Sequence, residues 1–182
     1  MYEVELKVRA AHGPVRDRLD DRDAERVGRV TQVDTYYDAP HRDFAATDEA
    51  LRLRRETPHG EGATDTRITY KGPLVEAASK TREEFETGVV DGETMDAILG
   101  ELGFSPAAVV EKDRDRYALD GYTVTLDAVA DLGEFVEVER AAEEASLESV
   151  REGAADLLRS LDLDPEEQIR TSYLGLLLDA QE

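Results

Sequence analysis

Met1-Tyr2-Glu3-Val4-Glu5-Leu6-Lys7-Val8-Arg9-Ala10 alternates, from Tyr2 onward, apolar side chains at even positions with charges at odd ones. Successive residues of a strand point to opposite faces, so the stretch predicts a β-strand with one apolar and one ionic side. Glu3 and Glu5 would share the ionic face, roughly 6.6 Å apart along the strand, with Lys7 next in the row. Two carboxylates followed by an ammonium are what a metal-bound polyanion needs. A half-exposed edge strand would show the same alternation, and what weighs against that reading is its recurrence down the chain.

A long strand reads from about Arg26 to Asp38, closed by Ala39-Pro40. Leu51-Arg52-Leu53-Arg54-Arg55-Glu56 follows, with Arg52 and Arg54 on one face. Arg67, Thr69 and Lys71 then alternate with Ile68 and Tyr70, and Lys80, Arg82, Glu84 and Glu86 share one side of the next strand. Lys112, Arg114 and Arg116 alternate with Glu111, Asp113 and Asp115, which makes one face basic and the other acidic. The acidic face is expected to meet solvent, so the basic face must look at something anionic. A closing hairpin carries Asp127 on its first strand, and Glu137 and Glu139 opposite Val136 and Val138 on its second. Helices are predicted near Pro14 to Leu19, over Glu93 to Leu102, from Ser146 to Leu161, and from Asp164 as cap through Pro165 to Ala180.

About eight sequential, mainly antiparallel strands with few helices describe an α+β fold. If those strands close into an eight-stranded β-barrel, alternation sends the charged rows inward to line a tunnel and the apolar rows outward, under the helices. Buried charges cost several kcal/mol apiece, on the order of the desolvation penalty, unless paired, hydrated or ligated. The interior should therefore be wet and built for a charged guest.

At 182 residues, 40% of them hydrophobic, the chain is expected to fold as one domain, 1–182. The absence of cysteine removes disulfides, thiolate zinc sites and a cysteine nucleophile together. His12, His41 and His59 are scattered through loop-like sequence and are expected at the surface. A net charge of -21 excludes a nucleic-acid binder, whose phosphate contacts need a basic face. No apolar run approaches the roughly 18 residues of a membrane span and no signal peptide is evident, so a soluble cytoplasmic protein is expected. Only four of the 22 basic residues are lysines, and a surface so acidic and lysine-poor points to a halophilic habitat, where salt blunts self-repulsion.

All four lysines, Lys7, Lys71, Lys80 and Lys112, fall on the inferred inner rows. They stand there with Arg52, Arg54, Arg67, Arg82, Arg114 and Arg116, and with the acids Glu3, Glu5, Glu84, Glu86, Asp127, Glu137 and Glu139. Many bases beside clustered carboxylates fit a polyphosphate clamped by cations and bridged to the acids by Mg²⁺ or Mn²⁺. Tyr36, Tyr37 and Tyr173 are assigned to packing.

Glu3-x-Glu5-x-Lys7, Asp34-Thr35-Tyr36-Tyr37-Asp38, Leu51-Arg52-Leu53-Arg54, Thr69-Tyr70-Lys71-Gly72-Pro73, Arg82-Glu83-Glu84-Phe85-Glu86, Lys112-Asp113-Arg114, Asp127 and Gly133-Glu134-Phe135-Val136-Glu137-Val138-Glu139 occur in that order. Together they resemble the CYTH domain of the triphosphate tunnel metalloenzyme superfamily, which includes class IV adenylyl cyclases and thiamine triphosphatases. The resemblance implies a metal set of Glu3, Glu5, Asp127, Glu137 and Glu139. It implies triphosphate contacts from Lys7, Arg52, Arg54, Lys71, Arg82, Lys112 and Arg114, with Glu5, Lys71 and Glu139 nearest the chemistry. It also implies Mg²⁺ or Mn²⁺ as cofactor and a triphosphate-bearing small molecule (ATP, thiamine triphosphate or tripolyphosphate) as substrate. Cyclase and triphosphatase need the same charge neutralisation, so the clamp leaves both open, the opening strand favouring the cyclase; a non-catalytic polyphosphate-binding module is a third reading. Neither nucleic acid nor membrane is expected as a partner, and a homodimer stays open.

Overall fold

The computed structural model describes residues 1–75 and 78–181. Eight strands run β1 (Tyr2–Arg9), β2 (Glu25–Asp38), β3 (Ala50–Pro58), β4 (Asp65–Lys71), β5 (Lys80–Gly88), β6 (Ser105–Leu119), β7 (Tyr122–Val129) and β8 (Gly133–Ala142). They close into a barrel in the order β1-β5-β4-β3-β2-β6-β7-β8, with every pairing antiparallel. Helices α1 (His12–Asp21), α2 (Phe44–Thr47), α3 (Gly92–Glu101), α4 (Leu147–Ser160) and α5 (Tyr173–Ala180) lie around it. The expected α+β barrel with helices outside is what forms.

The barrel is inside-out. Val4, Leu6 and Val8 of β1 face outward and join Val124 and Leu126 of β7 and Val136 and Val138 of β8 in the main apolar core. Helix α4 covers this face with Val150, Ala154, Leu157 and Leu158, and α1 adds Val15 and Leu19. A smaller outer cluster joins Tyr37 and Leu53 to Leu99 of α3. A third cluster sits where inward positions turn apolar: Val110, Val129 and Phe135 pack with Tyr173, and α5 extends that packing with Leu174, Leu176 and Leu177.

Three expectations change. The predicted helix from Asp164 to Ala180 is two pieces: Asp164 caps one 3-10 turn at Pro165–Glu167, the backbone leaves helical geometry at Gln168, and Ser172 caps α5. The Ile169 amide donates to the carbonyl of Lys7 at 2.7 Å, so a backbone group that a continuous helix would use internally ties the C-terminal segment to β1. The acidic face of β6 is only partly solvated. Asp115 is buried, and Arg26 and Arg16 donate to its oxygens. His12 is buried rather than exposed; its Nε2 donates to the carbonyl of Phe135 at 3.0 Å, and its Nδ1 lies 2.9 Å from Glu134.

Candidate metal and triphosphate site

Inside the barrel is a cavity of about 650 Å³ lined by charged side chains from seven of the strands and by parts of α2 and α5. All four lysines of the chain line it, as their strand parity predicts.

Antiparallel register between β1 and β8 sets Glu5 opposite Glu139, with Glu3 two residues away on the same face. One carboxylate oxygen from each of Glu3, Glu5 and Glu139 lies within 4.8 Å of the others. The crowding has an electrostatic signature. Burial, reinforced by the charges of Glu3 and Glu137 and opposed by Arg114, pushes the Glu139 carboxyl up to about 8. Burial also raises the Glu3 carboxyl, against the pull of Lys71. Like charges this close resist joint ionisation unless a cation joins them. Three oxygen donors with neither imidazole nor thiolate suit a hard divalent ion such as Mg²⁺ or Mn²⁺, so these residues fit the cofactor that the sequence implied.

The cations divide into paired and spare. Arg54 donates to both oxygens of fully buried Asp34 at 2.7 Å each, and Lys112 donates to the same carboxylate at 2.9 Å. Burial would raise Asp34, but Lys112 and Arg54 hold it well below the usual carboxylate range. Arg114 grips Asp127 through two bonds of 2.7 and 2.6 Å and reaches Glu137 at 3.0 Å. Burial again opposes, but Arg114, Lys7 and Lys112 keep Glu137 down at about 2. Lys71 lies 3.2 Å from Glu3 and 3.1 Å from Glu84.

Lys7 and Lys80, by contrast, form no ion pair among the described residues; Lys7 stands over the Tyr173 ring, 4.2 Å from its centroid. Arg52 lies 3.9 Å from Glu86 and beside Tyr36, Arg82 pairs with Asp48 at 3.1 Å, and the Nε atoms of Arg52 and Arg82 are buried without a hydrogen-bond partner. For Lys80, burial outweighs the help of Glu5, and with the crowding of Lys7, Arg82 and Lys71 it brings the ammonium down to about 8. Across the β1–β5 register Lys80 stands opposite Glu5 and Arg82 opposite Glu3, so these cations border the carboxylate cluster.

The structure thus brings together Glu3, Glu5, Lys7, Arg52, Arg54, Lys71, Arg82, Lys112, Arg114, Glu137 and Glu139 in one cavity. Asp127 stands in the wall, its oxygens taken by Arg114 and by the Tyr173 hydroxyl at 2.8 Å, and outside the three-carboxylate cluster. Arg67 is half exposed, bonded to Asp65 and Glu86, and does not line the cavity. Three lining or supporting residues escaped the sequence reading. Asp34 has the inward parity of β2 directly opposite Arg54, a placement visible once the β2–β3 register is known. Tyr36 lines the cavity; Tyr37 also touches it, but packs with Leu53 and Leu99 in the outer cluster and donates to Asp96 at 2.5 Å. Tyr173 packs edge-on against Phe135, as a core residue would, while its hydroxyl and ring face carry a carboxylate and an ammonium.

A family model described as the CYTH domain matches residues 1–173. A Methanocaldococcus jannaschii protein that carries a provisional adenylate cyclase name is 34% identical over 178 residues, covering 97% of this chain and 98% of that protein. An Aeromonas hydrophila protein named as an adenylate cyclase is 26% identical over 146 residues, 80% of this chain and 71% of its own. Among solved structures, a Pyrococcus horikoshii protein superposes with a TM-score of 0.90 at 36% identity, covering 98% of this chain and 99% of that one. Barrel, ionic lumen and whole-length likeness agree: the chain belongs to the CYTH domain family.

Proposed function

We propose that this protein is a divalent-metal-dependent enzyme acting on a nucleoside triphosphate, with the chemistry of a class IV adenylyl cyclase: ATP to cyclic AMP and pyrophosphate. One observation carries the reading. In a chain of net charge -21, the barrel lumen sets the ammoniums of Lys7 and Lys80, and the unbonded Nε atoms of Arg52 and Arg82, beside the crowded carboxylates Glu3, Glu5 and Glu139. Excess positive charge next to excess negative charge, both shielded from bulk water, is resolved by a polyanion and a metal entering together.

Glu3, Glu5 and Glu139 would hold Mg²⁺ or Mn²⁺, which when bound neutralises phosphate charge and polarises the phosphorus being attacked. The side chains of Lys7, Lys80, Arg52 and Arg82 bind the phosphate oxygens. Arg54 and Lys112, locked on Asp34, and Arg114, locked on Asp127 and Glu137, present remaining N–H groups to the lumen at little entropic cost. In the cyclase reaction the ribose 3′-oxygen bonds to the α-phosphorus as the bond to the bridging oxygen breaks and pyrophosphate leaves. The cyclase names of the relatives at 34% and 26% identity support that choice over hydrolysis.

The test is ³¹P NMR of the protein with ATP, thiamine triphosphate and tripolyphosphate in turn, each with Mg²⁺ or Mn²⁺. Cyclic AMP with pyrophosphate supports the proposal, orthophosphate replaces the cyclase with a triphosphatase, and no turnover of any substrate leaves a binding module.

A further inference from the structure

Lys7 has carboxylates on two sides and pairs with neither. The β1–β8 register sets it directly opposite Glu137, and Glu5 stands two residues along on the same face. Directly opposed residues of opposite charge are the nearest ion-pair partners that an antiparallel sheet offers. Glu137 nevertheless accepts from Arg114 at 3.0 Å, and the buried Lys7 ammonium forms no ion pair among the described residues. It stands over the face of Tyr173 instead, 4.2 Å from the ring centroid. Lys112 lies 5.4 Å from the same ring, but it has Asp34 at 2.9 Å as its counter-ion. Lys7 is the ammonium that depends on the ring.

The Tyr173 hydroxyl donates to Asp127 at 2.8 Å, and Phe135 packs edge-on with the two ring centroids 5.0 Å apart. Just upstream, the Ile169 amide donates to the carbonyl of Lys7 at 2.7 Å, and the Ser172 hydroxyl caps α5 by accepting from the Gly175 amide at 3.0 Å. The C-terminal segment is thus fastened to the backbone of the residue whose side chain it seats. An aromatic face attracts an ammonium through its quadrupole and adds no negative charge. A carboxylate would neutralise the ammonium and take up its N–H groups.

Resting on the reading of the lumen as a metal and triphosphate site, we infer that Tyr173 is a positioning residue whose ring holds Lys7 apart from the metal carboxylates. The ring leaves the ammonium unneutralised and placed for phosphate, and it leaves Glu5 free for the metal. Without it, Lys7 turns toward Glu5 and Glu137, so that a cation needed by the polyanion cancels an anion needed by the ion.

The test compares two rings of nearly equal shape: Tyr173→Phe, and trifluorophenylalanine introduced at the same position. Fluorine withdraws negative charge from the face of the ring and leaves its packing almost unchanged. Both rings lack the hydroxyl, so loss of the bond to Asp127 is common to the pair. Binding of tripolyphosphate with MgCl₂ is measured by calorimetry, and binding of Mn²⁺ alone by electron paramagnetic resonance. The fluorinated ring should bind tripolyphosphate about tenfold, and Mn²⁺ about threefold, more weakly than the phenylalanine ring. In a Lys7→Met background the same exchange should change either affinity by less than about twofold, because the side chain that the ring seats is gone. Equal affinities of the two rings for both ligands, or a loss that persists undiminished with Lys7→Met, would overturn the inference and leave Tyr173 a core residue. If the wild type binds no tripolyphosphate, the triphosphate reading fails, and the Mn²⁺ comparison still decides whether the ring guards the carboxylates.

Discussion

Replacing Asp34 with asparagine probes the lumen most directly. Asp34 is fully buried and takes two bonds from Arg54 and one from Lys112. Asparagine has nearly the same shape but no charge, and its amide turns a pair of donors toward groups that can only donate. Breaking one buried ion pair from the acidic side costs about 3–5 kcal/mol, mainly because a cation is left buried and unpaired. Here two cations share the carboxylate, while lumen water and Glu56 recover part of the loss, so the same range of about 3–5 kcal/mol applies. For a chain of this length, that corresponds to a fall in Tm of about 6–20 °C. Urea unfolding at pH 7 measures it. Tripolyphosphate should then restore more stability to Asp34→Asn than to the wild type, because the freed Arg54 and Lys112 gain an anion that binds only the folded state. A loss below about 1 kcal/mol, or equal rescue of both proteins, would refute the argument that Asp34 is the counter-ion of the clamp.

Other perturbations separate the parts. Glu5→Gln should lower Mg²⁺ or Mn²⁺ affinity by at least about 10–100-fold without changing the circular dichroism spectrum; unchanged affinity would take Glu5 out of the metal site. Tyr173→Phe deprives Asp127 of a donor and should cost about 1–3 kcal/mol, and Tyr173→Leu should cost more because Lys7 also loses the ring beneath it; a Tyr173→Phe as stable as the wild type in denaturant melts would assign Tyr173 to packing alone. Glu56 is held down at about 2, burial being outweighed by hydrogen bonds from Arg116 and Gln32. Its contribution is fully present above its ordinary value of 4.5 and is lost as pH falls toward 2. Glu56→Gln should therefore cost about 1–3 kcal/mol at neutral pH, a gap that closes over that acidic range; a gap constant with pH rejects the linkage. Finally, Tm should rise steadily between about 0.1 and 2 M KCl as the surface charge is screened, and a protein most stable in low salt would not be adapted to brine.

The alternation in Tyr2–Arg9 and its later echoes determined the barrel. A period of two fixes which side chains share a face, and only an inward ionic row reconciles those charges with an outward apolar row that must be buried. The same parity placed Lys7, Lys71, Lys80 and Lys112 in one lumen. What it could not decide was how charges from different strands pair, because that depends on register between segments far apart in sequence. The opposition of Asp34 to Arg54, the removal of Asp127 from the carboxylate cluster by Arg114 and Tyr173, and the spare state of Lys7 and Lys80 emerge only when eight strands close. The break after Pro165–Glu167 is of the same kind: Ile169 leaves the helical pattern because the carbonyl of Lys7, distant in the chain, accepts its amide. Local periodicity determines which way a side chain points, while closure of the sheet decides what it meets.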